Sequence, residues 1–387
     1  MVHKKVIHIA HASHSYFANE GDDLKKIVLN DWYFKTASQI KKYHPEIEVE
    51  CWAPEKDNRS YEEFIENGIK LKLFPVNFSP LYGMDFSLSM LLELKKEVEK
   101  SYGKYELLIH LHEFHNLHGL IIADLFKNQK IIVQHHGGSW PSKHLRESKK
   151  KRFFAPLFWL GQWYENRVIK NVDQFYALST EELDYLKDKG CRARFQTMGI
   201  GEEYFEDCNK KKARKKLGIN EDEKLLFFLG RVGKVKGVDY LLRAMKKLPD
   251  INLKIAGYGL EREELEKYAT DNNLVNVEFL GGVFGEDKLL YLSAADALVL
   301  PSLKEGAPVT VMEAMARNRP SIVSDVGGVK LMINDENGII IEPGQVDDII
   351  KAARNVFEWR EKDIKKHAKI YKWEKIIQDT VEDYKNE

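Results

Sequence analysis

Short apolar runs that alternate with helical patterns dominate the second half of the chain. The apolar runs are KLLFFLG, INLKIAG, VNVEFLG, ALVLP, PSIVS and GIIIEP, and segments such as VDYLLRAMKKL and EREELEKYATDN lie between them. Near-continuous apolar strands joined by helices are typical of a parallel sheet that is covered on both faces. The first half repeats this theme in KKVIHIA, IEVECW, IKLKLF, YELLIHL, KIIVQH and DQFYALS. The sequence therefore predicts an α/β protein with two doubly wound, Rossmann-like domains.

The length of the chain also favours two domains. With 387 residues, of which 43% are hydrophobic, the chain is too long for one ordinary core. We place the first domain at 1–204, a lysine-rich linker at 205–221 and the second domain at 222–369. Ligands of open parallel sheets bind beyond the carboxyl ends of the strands, so we expect the site in a deep cleft where the two domains face each other.

Composition and charge exclude several classes of protein. Lys and Arg equal Asp and Glu at 60 each, so no overall field favours nucleic acid. The three cysteines, Cys51, Cys191 and Cys208, lack metal-binding spacing, which favours a reducing compartment. The N-terminal apolar run is too short for a secretion signal and no stretch approaches 18 uninterrupted apolar residues, so we expect a cytoplasmic protein.

The basic and aromatic stretch 143–170 leaves two interpretations open. It combines the run KHLRESKKKR with the aromatic residues Phe153, Phe154, Phe158, Trp159, Trp163 and Tyr164. One interpretation is a peripheral element on the inner face of a membrane, where it reaches a lipid-linked acceptor. The other is a core-packing helix with a solvated basic face.

Two glutamates eight residues apart, Glu305 and Glu313, lie in the distinctive run PSLKEGAPVTVMEAMARNRP. Glu305 follows ALVLP and so lies in a loop at a strand's carboxyl end, whereas Pro308 opens an amphipathic helix and Glu313 lies about one turn inside it. The helix N-terminus offers N–H groups and a positive dipole end, so the two acids can hold separate parts of one polyhydroxylated or anionic ligand. A loop acid and a helix acid do not fit the paired carboxylates of a glycosidase.

The string GRVGKVKG supplies a candidate phosphate site. Arg231 follows the first strand of the second domain, and Lys236 and Gly237 open the next helix. A guanidinium fork and an ammonium on one strand–helix loop suit phosphate oxygens, although the spacing is not that of a Walker loop. The alternative is a surface loop with two solvated cations. At the following turn, Gly257 and Gly259 permit either close approach to a ligand or a plain tight turn, and the incomplete GxGxxG pattern predicts no nicotinamide cofactor.

Histidines follow two strands of the first domain, in HLHEFHNLH and VQHHGG. HEFH misses the HExxH spacing by one residue, and no acidic set complements His110 and His112. We therefore expect no metal, with a histidine-based metallohydrolase left as an alternative. His8 and His110 fit buried strand positions. His136, directly before two glycines, is better placed to donate to a sugar or phosphate oxygen.

Together these motifs resemble the retaining glycosyltransferases of family 4, which have the GT-B fold. The resemblance is strong over 222–345 and moderate over 105–205. AGYG, FLGGV, ADALVLPS, EAMA and SDVGG occur in the family's order, and VQHHGG resembles its strand-end His-Gly. The terminal segment 370–387 resembles the tail helix that packs back on the first domain. The family's E-x7-E motif falls on Glu305 and Glu313, and its phosphate motif falls on Gly230, Arg231, Lys236 and Gly237.

The resemblance implies metal-independent transfer of a sugar, with retention of configuration, from a nucleotide-diphosphate sugar to a hydroxyl of a glycan, lipid-linked or small-molecule acceptor, without a cofactor. Arg231 and Lys236 would neutralise the leaving diphosphate, and Glu305 would hold the sugar. Glu313 would hold the ribose, and His136 would contact the sugar or its phosphate. The implied donor site comprises Gly230, Arg231, Lys236, Gly257, Gly259, Val283, Glu305, Gly306, Ala307, Pro308, Val309, Thr310 and Glu313, and the acceptor side comprises His11, Asp85, His112 and Gly137.

Three alternatives that share much of this site stay open. A sugar phosphorylase or a nucleotide-sugar epimerase would use the same fold for another reaction. A non-catalytic protein would bind the nucleotide sugar and leave it unchanged.

Overall fold

The computed structural model describes residues 3–10, 13, 24–56, 61–79, 85–114, 116–136, 155–206, 209–358 and 363–386. Its backbone divides into two compact units. The first comprises Met1–Met198 together with Ile376–Glu387, and the second comprises Gly199–Lys375.

The first unit contains a sheet of eight strands in the described part of the chain. They are β1 Lys4–Ile9, β2 Glu48–Glu55, β3 Glu62–Glu66, β4 Ile69–Pro75, β5 Glu106–His112, β6 Lys130–Gln134, β7 Gln174–Ala177 and β8 Ala193–Phe195. Their order is β3-β4-β2-β1-β5-β6-β7-β8, and only the β3–β4 pair is antiparallel. The chain winds outward from β1 in one direction and from β5 in the other. The switch point, where ligands of such sheets bind, therefore lies between β1 and β5.

Helices connect these strands and bury their apolar faces against the sheet. They are α1 Leu24–Asn30, α2 Trp32–Tyr43, α3 Leu88–Ser101, α4 Leu117–Leu125, α5 Ala155–Val168 and α6 Thr180–Asp188. Four of them begin at side chains that accept a backbone N–H of the first turn, namely Asp31, Ser87, Asn116 and Ser179. Such N-caps each stabilise a helix by about 1 kcal/mol.

The second unit contains a parallel sheet of six described strands. They are β9 Leu225–Leu229, β10 Asn252–Ala256, β11 Val277–Gly281, β12 Ala297–Leu300, β13 Ser321–Ser324 and β14 Gly338–Ile341. The order β11-β10-β9-β12-β13-β14 places the switch point between β9 and β12. The helices are α7 Lys210–Leu217, α8 Val238–Met245, α9 Arg262–Asp271, α10 Gly285–Ala294, α11 Val309–Ala316, α12 Val346–Asn355 and α13 Lys365–Ala368.

The prediction of two doubly wound, Rossmann-like sheets is confirmed, and every apolar run quoted above forms a strand. The segment 205–221 differs from a simple linker, because α7 lies inside the second unit. Arg214 of this helix is almost fully buried, and its guanidinium donates to the Ala294 carbonyl at 2.9 Å and to the Asp296 carboxylate at 3.0 Å. The structure divides the chain between Met198 and Gly199 instead.

The last helix, α14 Trp373–Lys385, contributes its residues from Ile376 onward to the first unit. It buries Ile376, Ile377, Thr380, Val381 and Tyr384. The Tyr384 hydroxyl lies 2.6 Å from His110 Nδ1 on β5, and the Asp383 carboxylate accepts from the Tyr176 hydroxyl at 2.8 Å. The end of the chain therefore covers one face of the first sheet.

None of the helices in the described ranges combines the length and the apolar character that crossing a membrane requires.

Candidate active site

The candidate site of the second unit lies at the carboxyl ends of β9 and β12, at the switch point of the sheet. Gly230 and Arg231 directly follow β9, and a 3-10 turn at Lys234–Lys236 leads into α8. The loop that carries Glu305 directly follows β12 and ends at α11. The topology thus brings together the two motifs that the sequence singled out.

An ion pair joins these two loops. Nζ of Lys236 lies 2.7 and 2.8 Å from the two carboxylate oxygens of Glu305, and the Ser302 hydroxyl donates to Oε1 at 2.7 Å. The Glu305 side chain is only 8% exposed. Sequence reasoning proposed Lys236 and Glu305 for one ligand but did not foresee that they bind each other.

Arg231 is the contrasting cation of the same loop. Its side chain is exposed, and among the described residues it makes no hydrogen bond or ion pair. A guanidinium that faces solvent at the carboxyl end of β9 can donate to a phosphate without first breaking a contact to any described residue.

Glu313 lies one turn inside α11, as predicted, and is 5% exposed. Its Oε1 accepts from Nζ of Lys288 on α10 at 2.8 Å, whereas its Oε2 is buried with no partner in the described part of the chain. Nζ of Lys288 also lies 4.9 Å from the centre of the Tyr204 ring. Burial, and then the nearby Glu313 carboxylate, raise the pKa of Tyr204 above its usual range. Oε2 of Glu313 therefore has no hydrogen-bond partner among the described residues, although the Tyr204 hydroxyl lies near the carboxylate.

Lys288 and Tyr204 were missed by sequence reasoning. Lys288 lies in the helix GEDKLLYLSA and Tyr204 in the turn GEEYF, and neither belongs to a recognisable motif. Their proximity to Glu313 depends on how α10 and the turn at Glu202–Phe205 pack beside α11, which no local pattern records.

Helix α11 differs from the amphipathic helix that was predicted. Pro308 is its N-cap, with φ −69° and ψ 116°, and all residues from Val311 to Ala316 are buried. Burial on every side explains why the only acid in its interior, Glu313, is paired. By helix geometry the N–H groups of Val309 and Thr310 have no intrahelical acceptor, so they stay available to a ligand.

The glycine loop after β10 serves backbone packing. A Cβ built on Gly257 would lie 1.8 Å from the carbonyl oxygen of Gly230, and one built on Gly259 would lie 1.8 Å from that of Val232. Val232 N–H in turn donates to the Tyr258 carbonyl at 2.8 Å. The close approach that these glycines permit is thus to the neighbouring Arg231 loop, which they hold in place.

A second loop supports Glu305 from the other side. Gly327 in SDVGG has φ +60°, and a Cβ built there would lie 2.1 Å from the carbonyl oxygen of Glu305. The N–H of Gly328 donates to the Gly306 carbonyl at 2.7 Å. The loop after β13 therefore fixes the backbone of EGAP. Roles for Val283, which is buried, and for Ala307 in donor binding stay predictions.

The histidines of the first unit form a buried cluster at the β1–β5 switch point. His8 Nδ1 lies 2.9 Å from His112 Nε2, and His112 Nδ1 lies 2.7 Å from His136 Nε2. His8, His110 and His112 have ring nitrogens within 4.8 Å of one another. Burial lowers the pKa of His8 to about 3 and that of His110 well below its usual range. The expectation that His8 and His110 are buried is confirmed, and the pKa directions describe neutral rings.

His135 has the opposite character. Its Nδ1 lies 2.5 Å from a carboxylate oxygen of Glu182 and 3.6 Å from one of Glu113. Although burial opposes it, the Glu182 carboxylate and then Glu113 raise the pKa of His135 to about 9. The direction of this shift describes a buried imidazolium, in contrast to the neutral rings of His8 and His110.

The acceptor-side candidates are only partly described. Asp85 is buried, and its carboxylate accepts the N–H of Ser13 at 2.8 Å. His11 and Gly137 lie outside the described residues, as do Cys208 and the run 143–152. In α5, Leu160 and Trp163 are exposed, while the Tyr164 hydroxyl donates to Asp124 at 3.0 Å. Contact of 143–170 with a membrane stays a prediction.

Comparison with known proteins identifies the class. The model of the family "Glycosyl transferases group 1" matches residues 209–373, and that of "Glycosyltransferase Family 4" matches residues 44–198. An uncharacterized glycosyltransferase of Methanocaldococcus jannaschii is 36% identical over 184 residues, which are 44% of this chain and 47% of the relative. A D-inositol 3-phosphate glycosyltransferase of Geodermatophilus obscurus is 27% identical over 57% of this chain and 54% of the relative. These matches span about half the length of the curated relatives.

Solved structures show the same fold over nearly the whole chain. Sucrose-phosphate synthase from Thermosynechococcus elongatus aligns over 98% of both chains with a TM-score of 0.70 and 20% identity. An Anabaena protein in complex with UDP aligns over 98% of this chain and 99% of that chain, with a TM-score of 0.68 and 17% identity. The two Rossmann-like sheets are therefore those of a GT-B protein. The chain belongs to the glycosyltransferases of the group 1 and family 4 type.

Proposed function

We propose that this protein is a retaining, metal-independent glycosyltransferase. It moves a sugar from a nucleotide-diphosphate sugar to a hydroxyl group of a glycan, lipid-linked or small-molecule acceptor. The observation that carries the proposal is the ion pair between Lys236 and Glu305, at the switch point of the second sheet, beside Arg231, which has no partner among the residues that the structure describes.

Charge neutralisation at the leaving group is the first requirement of this reaction. The diphosphate gains negative charge as the bond to the sugar breaks, and preorganised cations stabilise that charge. Arg231 offers a guanidinium fork. Two of the three N–H donors of Lys236 are directed at Glu305, which leaves the third for a phosphate oxygen. With two cations and the N-terminus of α11, the leaving group needs no metal.

Glu305 and Glu313 have separate tasks in this mechanism. Lys236 and Ser302 hold the Glu305 carboxylate in one orientation, so that it can accept from hydroxyl groups of the donor sugar. Oε2 of Glu313 has no hydrogen-bond partner among the described residues and would accept from a ribose hydroxyl, while Lys288 keeps Oε1 occupied. Retention then follows if the leaving phosphate takes the proton of the acceptor on the same face of the sugar.

The ligands bound in solved structures with this fold support this choice of substrate. The Anabaena protein was solved with UDP and with UDP-glucose, and a starch synthase of Arabidopsis thaliana was solved with ADP and acarbose. A nucleoside diphosphate is common to these complexes. The fold does not determine which base, sugar or acceptor this chain uses.

A thermal-shift screen of nucleoside diphosphates and their sugars, in the presence of EDTA, tests the proposal. A ligand present at 100 times its Kd should stabilise the folded state by about 2.7 kcal/mol. We expect one nucleotide family to raise the Tm of the wild type and to lose most of that effect in Arg231→Ala. Lys234→Ala is the matched control, because Lys234 lies on the same loop but faces Glu261 and Glu264.

Two outcomes would contradict the proposal. One is that no nucleotide raises the Tm, and the other is that stabilisation requires added metal. Incubation of the identified donor without acceptor separates transfer from epimerisation, since an epimerase would convert the donor and a transferase would not.

A further inference from the structure

Two large aromatic side chains are exposed at the carboxyl edge of the second sheet. Tyr258 follows β10 and Phe284 follows β11, and these are the two strands beyond β9 in the order of the sheet. Tyr258 is 63% exposed and Phe284 is 71% exposed. Single exposed apolar side chains are common, but exposed rings that are grouped at one place indicate a binding site.

The two rings converge over Gly282. A Cβ built on Gly282 would lie 2.3 Å from Cε2 of Tyr258 and 2.6 Å from Cε2 of Phe284. The edges of the rings therefore lie beside each other, in the space that a side chain at position 282 would fill. Because Gly282 has no side chain, Tyr258 and Phe284 can form one surface, which we call the aromatic pair.

Tyr258 connects the aromatic pair to the loop of Arg231. The N–H of Val232, the residue after Arg231, donates to the Tyr258 carbonyl at 2.8 Å. Gly257, which precedes Tyr258, packs equally closely on the carbonyl of Gly230. One side of the aromatic pair therefore lies beside the loop that we assign to the diphosphate.

Phe284 connects the aromatic pair to Glu313. Phe284 is the N-cap residue of α10, and its carbonyl accepts the N–H of Lys288 at 3.4 Å. Residues four apart in this way lie on the same side of a helix. Since Nζ of Lys288 lies 2.8 Å from the Glu313 carboxylate, the other side of the aromatic pair lies one helical turn from the contact that we assign to the ribose.

We propose that the aromatic pair is the base subsite of the donor and that Tyr258 and Phe284 hold the nucleobase by its planar faces. In a nucleoside diphosphate the ribose links the base to the diphosphate, and the aromatic pair adjoins the residues assigned to both of those groups. Stacking of a base on an aromatic side chain contributes about 1–3 kcal/mol and is available to every base. The inference rests on the proposed function, because it names the part of the donor that this surface binds.

Isothermal titration calorimetry with ADP, GDP, UDP and inorganic pyrophosphate, in the presence of EDTA, tests this inference. We expect Phe284→Ala and Tyr258→Ala each to weaken binding of the nucleotide that the wild type accepts by about 5- to 100-fold. Affinity for pyrophosphate, which has no base, should stay the same, and this also shows that the variants are folded. Phe284→Tyr should retain nucleotide binding, because it keeps the ring. Val275→Ala is the control, since Val275 is 98% exposed and precedes the amino end of β11.

Gly282→Ala tests the geometry without removal of either ring. The added methyl group would displace the edges of both rings, because its position lies within 2.6 Å of each. We expect this variant to weaken binding of the same nucleotide and to leave pyrophosphate binding unchanged.

Unchanged nucleotide affinity in Phe284→Ala and Tyr258→Ala would overturn the inference. An equal loss of affinity for pyrophosphate would also overturn it, because the rings would then support the Arg231 loop and not contact a base. Either result leaves the proposed function standing, since the wild type still binds a nucleotide. If the wild type binds none of the three nucleotides, the proposed function fails and the base subsite fails with it.

Discussion

Arg231 and Lys236 lie on one loop but differ in what already holds them. Lys236 is paired with Glu305, whereas Arg231 is exposed and without a partner in the described part of the chain. Both face the position that we assign to the diphosphate. Loss of either charge should therefore affect the step in which negative charge develops.

We expect Arg231→Ala and Lys236→Ala each to lower turnover by about 10²-fold or more, since each removes a cation at the leaving group. Steady-state kinetics with the donor found by thermal shift measure this. Lys234→Ala should retain turnover, because its side chain pairs with Glu261 and Glu264 at 3.9 and 3.8 Å. Wild-type rates in both test variants would refute the assignment of the leaving group to this loop.

Glu313 should act mainly through donor binding. We expect Glu313→Ala to raise the donor KM, because hydrogen bonds to ribose persist from the ground state to the transition state. The exposed Glu286, which pairs with Lys216, provides a control variant, Glu286→Ala. A fall in kcat with an unchanged KM would mean that Glu313 contacts the reacting groups instead.

At the scale of elements, the strands β1 and β5 and the segment after β6 bring together histidines with opposite pKa shifts. The pKa of His8 is lowered to about 3 and that of His110 lies well below its usual range, both chiefly through burial. At the start of α4, burial lowers the pKa of His118 to about 4. His135 shifts the other way, to about 9, because of the carboxylates around it.

These shifts predict a maximum of stability near the ordinary histidine pKa of about 6.5. As pH falls below 6.5, the histidines with a lowered pKa bind protons in the unfolded chain but stay neutral in the folded protein. Each such ring then lowers the protein's free energy of unfolding by about 1.4 kcal/mol per pH unit, until the pKa of the ring in the folded state is reached. As pH rises from 6.5 to about 9, the unfolded chain loses the proton that His135 retains, so stability falls again.

Urea unfolding at a series of pH values measures this curve. In His135→Gln the decline between pH 6.5 and 9 should disappear, whereas the decline on the acid side should remain. His3→Gln is the control, because the His3 side chain is 50% exposed. A wild-type stability that rises steadily from pH 6.5 to 9 would contradict the charged state assigned to His135.

Which elements the sequence revealed depended on their composition. Apolar runs such as LLFFL and ALVL identified the parallel strands because these are buried on both faces. The edge strand EEFIE escaped notice, since it is largely polar and half-exposed. A signal for it was present, because Asn67-Gly68, with φ 51° and 73°, is the two-residue turn of a β-hairpin.

At the scale of the whole molecule, the last helix ties the end of the chain to the first unit. Tyr384 and His110 are fully buried, and the Tyr384 hydroxyl lies 2.6 Å from His110 Nδ1. Gln196 donates to the Thr380 hydroxyl at 2.8 Å, and Arg194 pairs with Asp383 at 2.9 Å. Residues as far as 274 apart in the chain thus share one largely buried polar layer.

Tyr384→Phe should lower the free energy of unfolding by about 1–3 kcal/mol, because it leaves a buried nitrogen of His110 without its partner. Thermal or urea unfolding measures the loss. Tyr102→Phe, at a tyrosine that is 66% exposed, should change stability by less than about 0.5 kcal/mol. Equal stability of Tyr384→Phe and the wild type would show that the hydroxyl contributes nothing to this layer.

The sequence by itself determined the two Rossmann-like sheets and the positions of Arg231, Lys236, Glu305 and Glu313. Local patterns of apolar residues determine which strands are buried and where helices form. The four site residues lie in short sequence motifs at or near the ends of strands. Only the tertiary structure decided their partners. Lys288 and Tyr204 lie beside Glu313 in the second unit, and His8 lies beside His112 in the first, because strands and helices far apart in sequence pack together. No local spacing in the sequence encodes these distances.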